Sequence, residues 1–362
     1  MNHPMQSALV LSTILAGWPA PGADLARGKP DVKTARAVAF GPGGVLFVGD
    51  NDGAAVFAID TGDREPDPID QRFEVLDVRA KIAELLGAGL SELSVRDLAI
   101  NPASGKAYLS YDRGRVREWV PVIARVGRSG KVEVVSLDDV PFARVALPNP
   151  PAPGARPPGG FEFRDRTITD LAYFEGRVYA SGLSSAEKYS SRIVSIAYPF
   201  ADPGAETSVE IYHGARGEIQ TKPPILAFAF CRIGGESHLL TAHGSLPLVK
   251  FPLSALKPGE HVRGTTVAEL GPRNNPLSMI VYKDGGRDFI LMATSKGLFK
   301  ISTEGIADAS ITEQVFGTAG LAQEKIGLLG GVMKIAPTGH GNALMLRSRP
   351  FGGEDLVEVP LP

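Results

Sequence analysis

Cysteine is nearly missing from this chain. Cys231 is the only one in 362 residues, so no disulfide can form within the molecule. An excess of one charge is missing as well. Lys and Arg number 38 against 40 Asp and Glu, and a formal charge of −2 gives no field to hold a polyanion. Nucleic acid is therefore not an expected partner. The apolar core Ala8 to Ala16 near the start is too short to span a bilayer, and a polar sequence follows it. No G-x-S-x-G elbow, P-loop or dinucleotide-binding glycine signature occurs in a suitable setting, and no H-E-x-x-H pair occurs to anchor a metal. Whether the chain is an enzyme stays open at this level.

The same apolar core leads into Gly17-Trp18-Pro19 and then the small residues Ala20, Gly22 and Ala23. That order has the form of an export signal, and residues 1–23 are read as one. No Lys or Arg precedes the core, and Trp18 and Pro21 stand where a small-x-small cleavage site would have small residues. A disordered cytosolic leader is the competing reading. The expected location is periplasmic or secreted, with no transmembrane segment in the mature chain.

Glycine (42) and proline (29) are plentiful, which suits many tight turns and argues against long helices. The stretch from Pro224 to Thr303 holds two near-copies of one unit. Apolar runs Ile225–Phe230, His238–Ala242, Leu246–Phe251 and Thr265–Leu270 are followed by Leu277–Tyr282, Phe289–Ala293 and Leu298–Ile301, with a weak fourth run near Ile311–Val315. Paired glycines, Gly234-Gly235 and Gly285-Gly286, mark the first turn of each copy. A recurring unit of four short strands is the mark of a β-propeller blade. The expected fold is all-β, a single propeller over residues 24–362. Six blades are expected, with seven possible if the helix-bearing region hides another.

Blade one is expected from Arg36–Phe40, Val45–Gly49, Ala54–Ile59 and Phe73–Val78, followed by a short helix over Arg79–Leu86 that stops at Gly87. Blade two is expected from Val95–Ile100, Ala107–Tyr111, Val120–Val126 and Val132–Leu137. Seven prolines from Pro141 to Pro158 leave few donors for a ladder, so residues 140–165 read as an irregular insertion rather than a domain boundary. Blade three follows from Ile168 to Tyr212. Blade six has three strands before the chain ends, and residues 24–33 are expected to supply its fourth.

The innermost strands share a theme in Asp97-Leu98-Ala99, Asp170-Leu171-Ala172 and Ser278-Met279-Ile280. A polar residue at a fixed offset lines the axis of a ring, and Asp97 and Asp170 are candidate ligand-binding residues. The simpler reading, favoured here, is that both satisfy neighbouring backbone amides. Tyr111, Arg113, Arg115 and Asn275 are further candidates on the loops of the same face. His213, His243 and Glu187 form the sharpest candidate group. Two imidazoles and a carboxylate suit zinc, copper or iron with one position open. The simpler reading is that each histidine bonds a loop carbonyl. Cys231, in an apolar strand, is expected to be packing.

From about Ile168 onward the chain resembles a family of exported bacterial β-propellers. The likeness rests on Ile168-Thr169-Asp170-Leu171-Ala172, Ser181-Gly182-Leu183-Ser184, Ile211-Tyr212-His213-Gly214-Ala215, Leu248-Val249-Lys250-Phe251-Pro252, Gly264 through Leu270, and Asn275 through Tyr282. More broadly the architecture is similar to NHL-repeat, gluconolactonase-like and quinoprotein-like propellers. The NHL blade pattern and the calcium ligands of the lactonases cannot be placed on these residues, so the resemblance implies a fold and no activity. Three functions stand at this level. The leading one is an exported binding module, for a small ligand or another exported protein, using the axial loop face. The second is a metal-dependent hydrolase or oxidoreductase at the axis, and the third is a scaffold subunit of a larger complex.

Overall fold

Successive residues along a strand point to opposite faces, and here both faces are apolar. Val45 and Phe47 join one hydrophobic cluster, while the alternating Leu46 and Val48 join another. Ile290 and Met292 split from Leu291 and Ala293 in the same way. A sheet that is apolar on both sides needs a neighbour on both sides. Repeated around a circle, that requirement gives a propeller.

The computed structural model describes residues 25–115, 118–158, 160–186, 188–244, 247–327, 330–339, 341–350 and 352–362. The expected signal at 1–23, together with Arg117, Glu187, Leu246 and His340, lies outside the described residues. The architecture is a six-bladed β-propeller with one α-helix among the described residues. Blade one is Ala37–Phe40, Val45–Asp50, Ala55–Asp60, Val140–Ala146 and, outermost, Ala26–Gly28. Blade two is Leu93–Ile100, Ala107–Arg113, Val120–Val126 and Val132–Val134. Blade three runs from Asp170–Phe174 through Arg177–Ser184 and Ser190–Ala197 to Ala205–His213. Blade four is Ile225–Ile233, Glu236–His243, Pro247–Pro252 and Thr265–Leu270. Blade five is Pro276–Asp284, Arg287–Thr294, Gly297–Ser302 and Gln323–Ile326. Blade six is Val332–Gly339, Asn342–Ser348, Glu354–Pro360 and, outermost, Glu74–Val75.

Blades do not follow one another around the ring in chain order. Six hydrophobic clusters each join two blades: two with six, one with two, one with three, three with four, four with five, and five with six. The spatial circuit is therefore two, one, three, four, five, six, and back to two, and contacts among the innermost strands follow the same circuit. Ala37–Phe40, Val45–Asp50 and Ala55–Asp60 fill the slot between blades two and three. From there the chain crosses to the rim of blade six, forms the helix Val78–Leu86, builds blade two, and returns to the rim of blade one.

The structure corrects four expectations. Phe73–Val78 is not the fourth strand of blade one; Glu74 and Val75 pair with Val357 and Leu356 and complete blade six. The front of the Pro-rich segment is not irregular, since Val140–Ala146 pairs with Ala55–Ile59 as the rim of blade one. Its one proline, Pro141, faces Arg27 near the sheet edge, where a missing donor costs little. Residues 26–28 add to that rim instead of closing blade six. Blade five takes its fourth strand from Gln323–Ile326 and not from Ile311–Val315.

Phe73 is fully buried between blades two and six, its backbone exchanges hydrogen bonds with Glu358, and Arg128 of blade two binds Glu358 at 2.6 Å. Phe73→Ala is expected to cost about 3–5 kcal/mol in unfolding free energy, the range for emptying a large aromatic site in a core. Urea denaturation checks this. A loss below about 1 kcal/mol would place Phe73 outside the interface that closes the ring.

Candidate functional site on the ring axis

Each innermost strand begins with the same irregularity. In blades two, four, five and six the pairing register slips by one residue, leaving Arg96, Leu226, Leu277 and Met333 as the extra residue against the second strand. In blades one and three, the Arg36 and Thr169 amides bond the carbonyls of Gly49 and Ser181, which already face Ala37 and Asp170. A bulge turns its extra side chain out of the alternating pattern. Here the six bulge side chains all line one mouth of the axis, a cavity of about 670 Å³ on the face where the innermost strands begin, the front face.

That mouth is divided by chemistry. Arg36 and Arg96 stand on the adjacent blades one and two, and Leu226, Leu277 and Met333 stand on blades four, five and six. Arg166 and Phe161 lean in from the end of the Pro-rich segment, with the Arg166 guanidinium 4.1 Å above the Phe161 ring. Asn51 holds this segment down: its amide donates to the Asp165 carbonyl at 2.6 Å and accepts from the Ile168 amide at 2.9 Å. Phe163 stacks on Tyr189 at 3.9 Å. Gly182 lets the segment approach, because a Cβ there would lie 2.0 Å from the Thr167 carbonyl oxygen.

The arginines differ in their partners. Arg96 pairs with Asp112. Arg36 is half-buried and has no side-chain hydrogen bond or ion pair among the described residues. Burial, then the positive charge of Arg96, lowers its pKa from the ordinary arginine value, opposed by Asp112 and Asp165. Burial likewise lowers that of Arg166. Concentrated cations with spare donors, facing an apolar wall, suit an organic anion: forked N–H groups for its carboxylate or phosphate and aliphatic side chains for its body.

One residue further along each strand lies a second ring of positions. Asp97 accepts the Val38 amide of blade one at 2.9 Å, Asp170 accepts the Phe228 amide of blade four at 2.9 Å, and Ser278 accepts the Ile335 amide of blade six at 3.1 Å. Asp97 also meets Lys334 of blade six at 3.0 Å. These side chains stitch alternate blade junctions and form the constriction of the axis. Lys334 lines both the front mouth and a larger funnel opening on the opposite, back face.

Of the residues singled out in the sequence, Asp97, Asp170 and Asn275 reach the axis. Tyr111 is buried between blades two and six, and its hydroxyl donates to Glu354 at 2.8 Å. Arg113 ends a strand of blade two, and Arg115 is exposed with Glu92 at 3.9 Å. Neither lines the front mouth or the back funnel. His213 and His243 are buried and close enough to interact electrostatically. His213 Nδ1–H donates to Gln220 Oε1 at 3.1 Å. His243 Nδ1–H donates to the Pro223 carbonyl at 3.0 Å while its Nε2 accepts from the Thr241 hydroxyl at 2.9 Å. Burial pushes the His243 imidazole down to about 4, so it is neutral. Among the described residues no three His, Cys, Asp or Glu side chains gather as metal ligands. The sequence reading missed Arg36, Arg96 and Arg166 as site residues, although each of the first two directly precedes an axial position.

No known protein family matches the chain, and no curated protein matches it. Solved structures similar to it include a PQQ-bound aldose sugar dehydrogenase from Streptomyces coelicolor. That protein is 13% identical, with a TM-score of 0.39 over 94% of this chain and 99% of the other. An oxidoreductase described as a glucose dehydrogenase from Thermus thermophilus is 14% identical, with a TM-score of 0.39 over 92% and 100%. The allergen Mala s 1 of Malassezia sympodialis is 9% identical, with a TM-score of 0.40 over 91% and 92%. Likenesses at this level carry no activity across, and the propeller assignment rests on the sheet order itself.

Asp170 yields a test of the axial charges. Burial, then the negative charge of Asp97, pushes its carboxyl up to about 7, with Lys334 and the Phe228 and Leu171 amides opposing. A carboxyl raised above its unfolded value of about 3.9 binds more protons folded than unfolded between the two values, so stability falls as pH rises through that window. Asp170→Asn removes this slope. Urea titrations at several pH values from about 4 to about 8 are expected to show the difference between variant and native protein moving in favour of the variant as pH rises. A difference constant with pH would mean that Asp170 ionises normally in the folded protein.

Proposed function

We propose that this propeller is a binding module that takes a small organic anion at its front mouth. The observation that carries the reading is the unpaired, half-buried Arg36 guanidinium beside Arg96 and Arg166, opposite Leu226, Leu277 and Met333. A buried cation without a partner is costly to keep, and a carboxylate or phosphate offsets that cost through charge-assisted hydrogen bonds. The apolar half of the mouth adds affinity for ligands carrying an alkyl or aryl group, at about 25 cal/mol per Å² of apolar surface covered. Asn275 at the rim offers a neutral amide to a hydroxyl or carbonyl of the same ligand.

Titration calorimetry with phosphate, citrate, benzoate and phenylphosphate tests this. The aromatic anions are expected to bind more tightly than phosphate alone, and added salt is expected to weaken all of them. Arg36→Gln and Arg166→Gln are each expected to weaken binding about tenfold or more, the equivalent of losing a charged hydrogen bond. Arg115→Gln, on an exposed loop away from the mouth, is expected to leave binding unchanged. If no anion in the set binds, or if the two mouth variants bind as the native protein does, the anion site is absent.

A further inference from the structure

The back funnel poses a separate question. Its volume is about 760 Å³, and it is walled by the later residues of the innermost strands. That size falls within the roughly 300–1,000 Å³ of small-molecule pockets. Aromatic rings stand around it, among them Phe40, Phe228 and the pair Phe174 and Phe230, stacked at 4.2 Å. Among the described residues only three charged side chains border it, all at the constriction: Asp97, Asp170 and Lys334.

Those three do not balance. Lys334 is bound to Asp97. The oxygens of Asp170 accept one amide each, from Leu171 and Phe228, and have no cationic partner in contact among the described residues. Each oxygen keeps a lone pair for another donor. A carboxylate at the base of an apolar cavity takes up a proton or a cation to offset its desolvation. In the free protein that role falls to a proton, consistent with a carboxyl whose pKa lies near 7.

We infer that the back funnel is a second binding site, for an amphiphilic primary amine whose ammonium group bonds Asp170 and whose alkyl or aryl body lies against the aromatic wall. The charge deficit calls for a cation, the free lone pairs call for a hydrogen-bond donor, and the walls call for an apolar body. A hydrated metal ion meets the first two of these but not the third. The rings add cation–π attraction along the path to the base. This inference is independent of the anion site, which lies on the opposite face.

Calorimetry on the full chain with 4-phenylbutylamine and its uncharged analogue 4-phenylbutanol tests it. The amine is expected to bind at least about tenfold more tightly, a difference of the size measured for hydrogen bonds to charged groups. The charged groups facing Asp170 are Asp97 and Lys334. With Asp170 partly protonated near neutral pH, amine binding ionises it and releases a fraction of a proton to the buffer. That release is read by repeating the titration in buffers of different ionisation enthalpy, and it needs no variant. Asp170→Asn is expected to weaken the amine about tenfold or more and to abolish the release, whereas Arg115→Gln, on an exposed loop that borders neither cavity, leaves both unchanged. Equal affinity for amine and alcohol, or amine binding that Asp170→Asn leaves unchanged, would overturn the ammonium site.

Discussion

Burial on both faces of every blade is the constraint from which the rest of the structure follows. A sheet with one apolar face is satisfied by a single partner layer, whereas these sheets need two. Six hydrophobic clusters, one at each junction, supply them. No blade can be left at an open end without exposing one of its apolar faces, so closure is enforced by side chains as well as by backbone pairing. The ring in turn brings six strand starts, distant in sequence, to one axis.

Strand positions were largely legible, because buried strands read as short apolar runs between glycine turns. Their order around the ring was not. The pattern of Leu46 and Val48 against Val45 and Phe47 states that both faces are buried, but not which blade covers each. Short rim strands carry the information that closes the ring, and they carry the weakest signal. Glu74–Val75 has two residues, and Val140–Ala146 sits at the head of a proline-rich stretch. Local pattern assigned Phe73–Val78 to the preceding blade because neighbours in sequence usually pair. The tertiary placement won because Phe73 and Val75 complete the cluster between blades two and six.

The axial carboxylates were legible for a related reason. Asp97, Asp170 and Ser278 recur at one offset, and the amide-satisfying role favoured for Asp97 and Asp170 from sequence is the contact each of them makes. It does not exclude an axial role, since the same side chains border the back funnel. The arginines escaped notice because a bulge breaks the alternation used to assign faces. Arg36 and Arg96 read as ordinary strand-start residues, and Arg166 as part of an irregular loop. The usable signal was positional: the residue before each axial position is one of six that share a mouth.

The Lys334–Asp97 pair at the constriction shows how one ring keeps two mouths distinct. A buried ion pair adds little net stability, because desolvation consumes most of its Coulomb energy. Its effect here is to divide charge. With Asp97 neutralised, the back funnel is left with Asp170 alone and is negative or neutral. With Lys334 engaged by that carboxylate, the front mouth takes its positive character from Arg36, Arg96 and Arg166, tempered by Asp112 and Asp165. Leu277 and Lys334 line both cavities, so a charged ligand in either one adds to the field felt in the other. The opposite signs of the two linings are set by one residue per blade at two successive positions of the same strands.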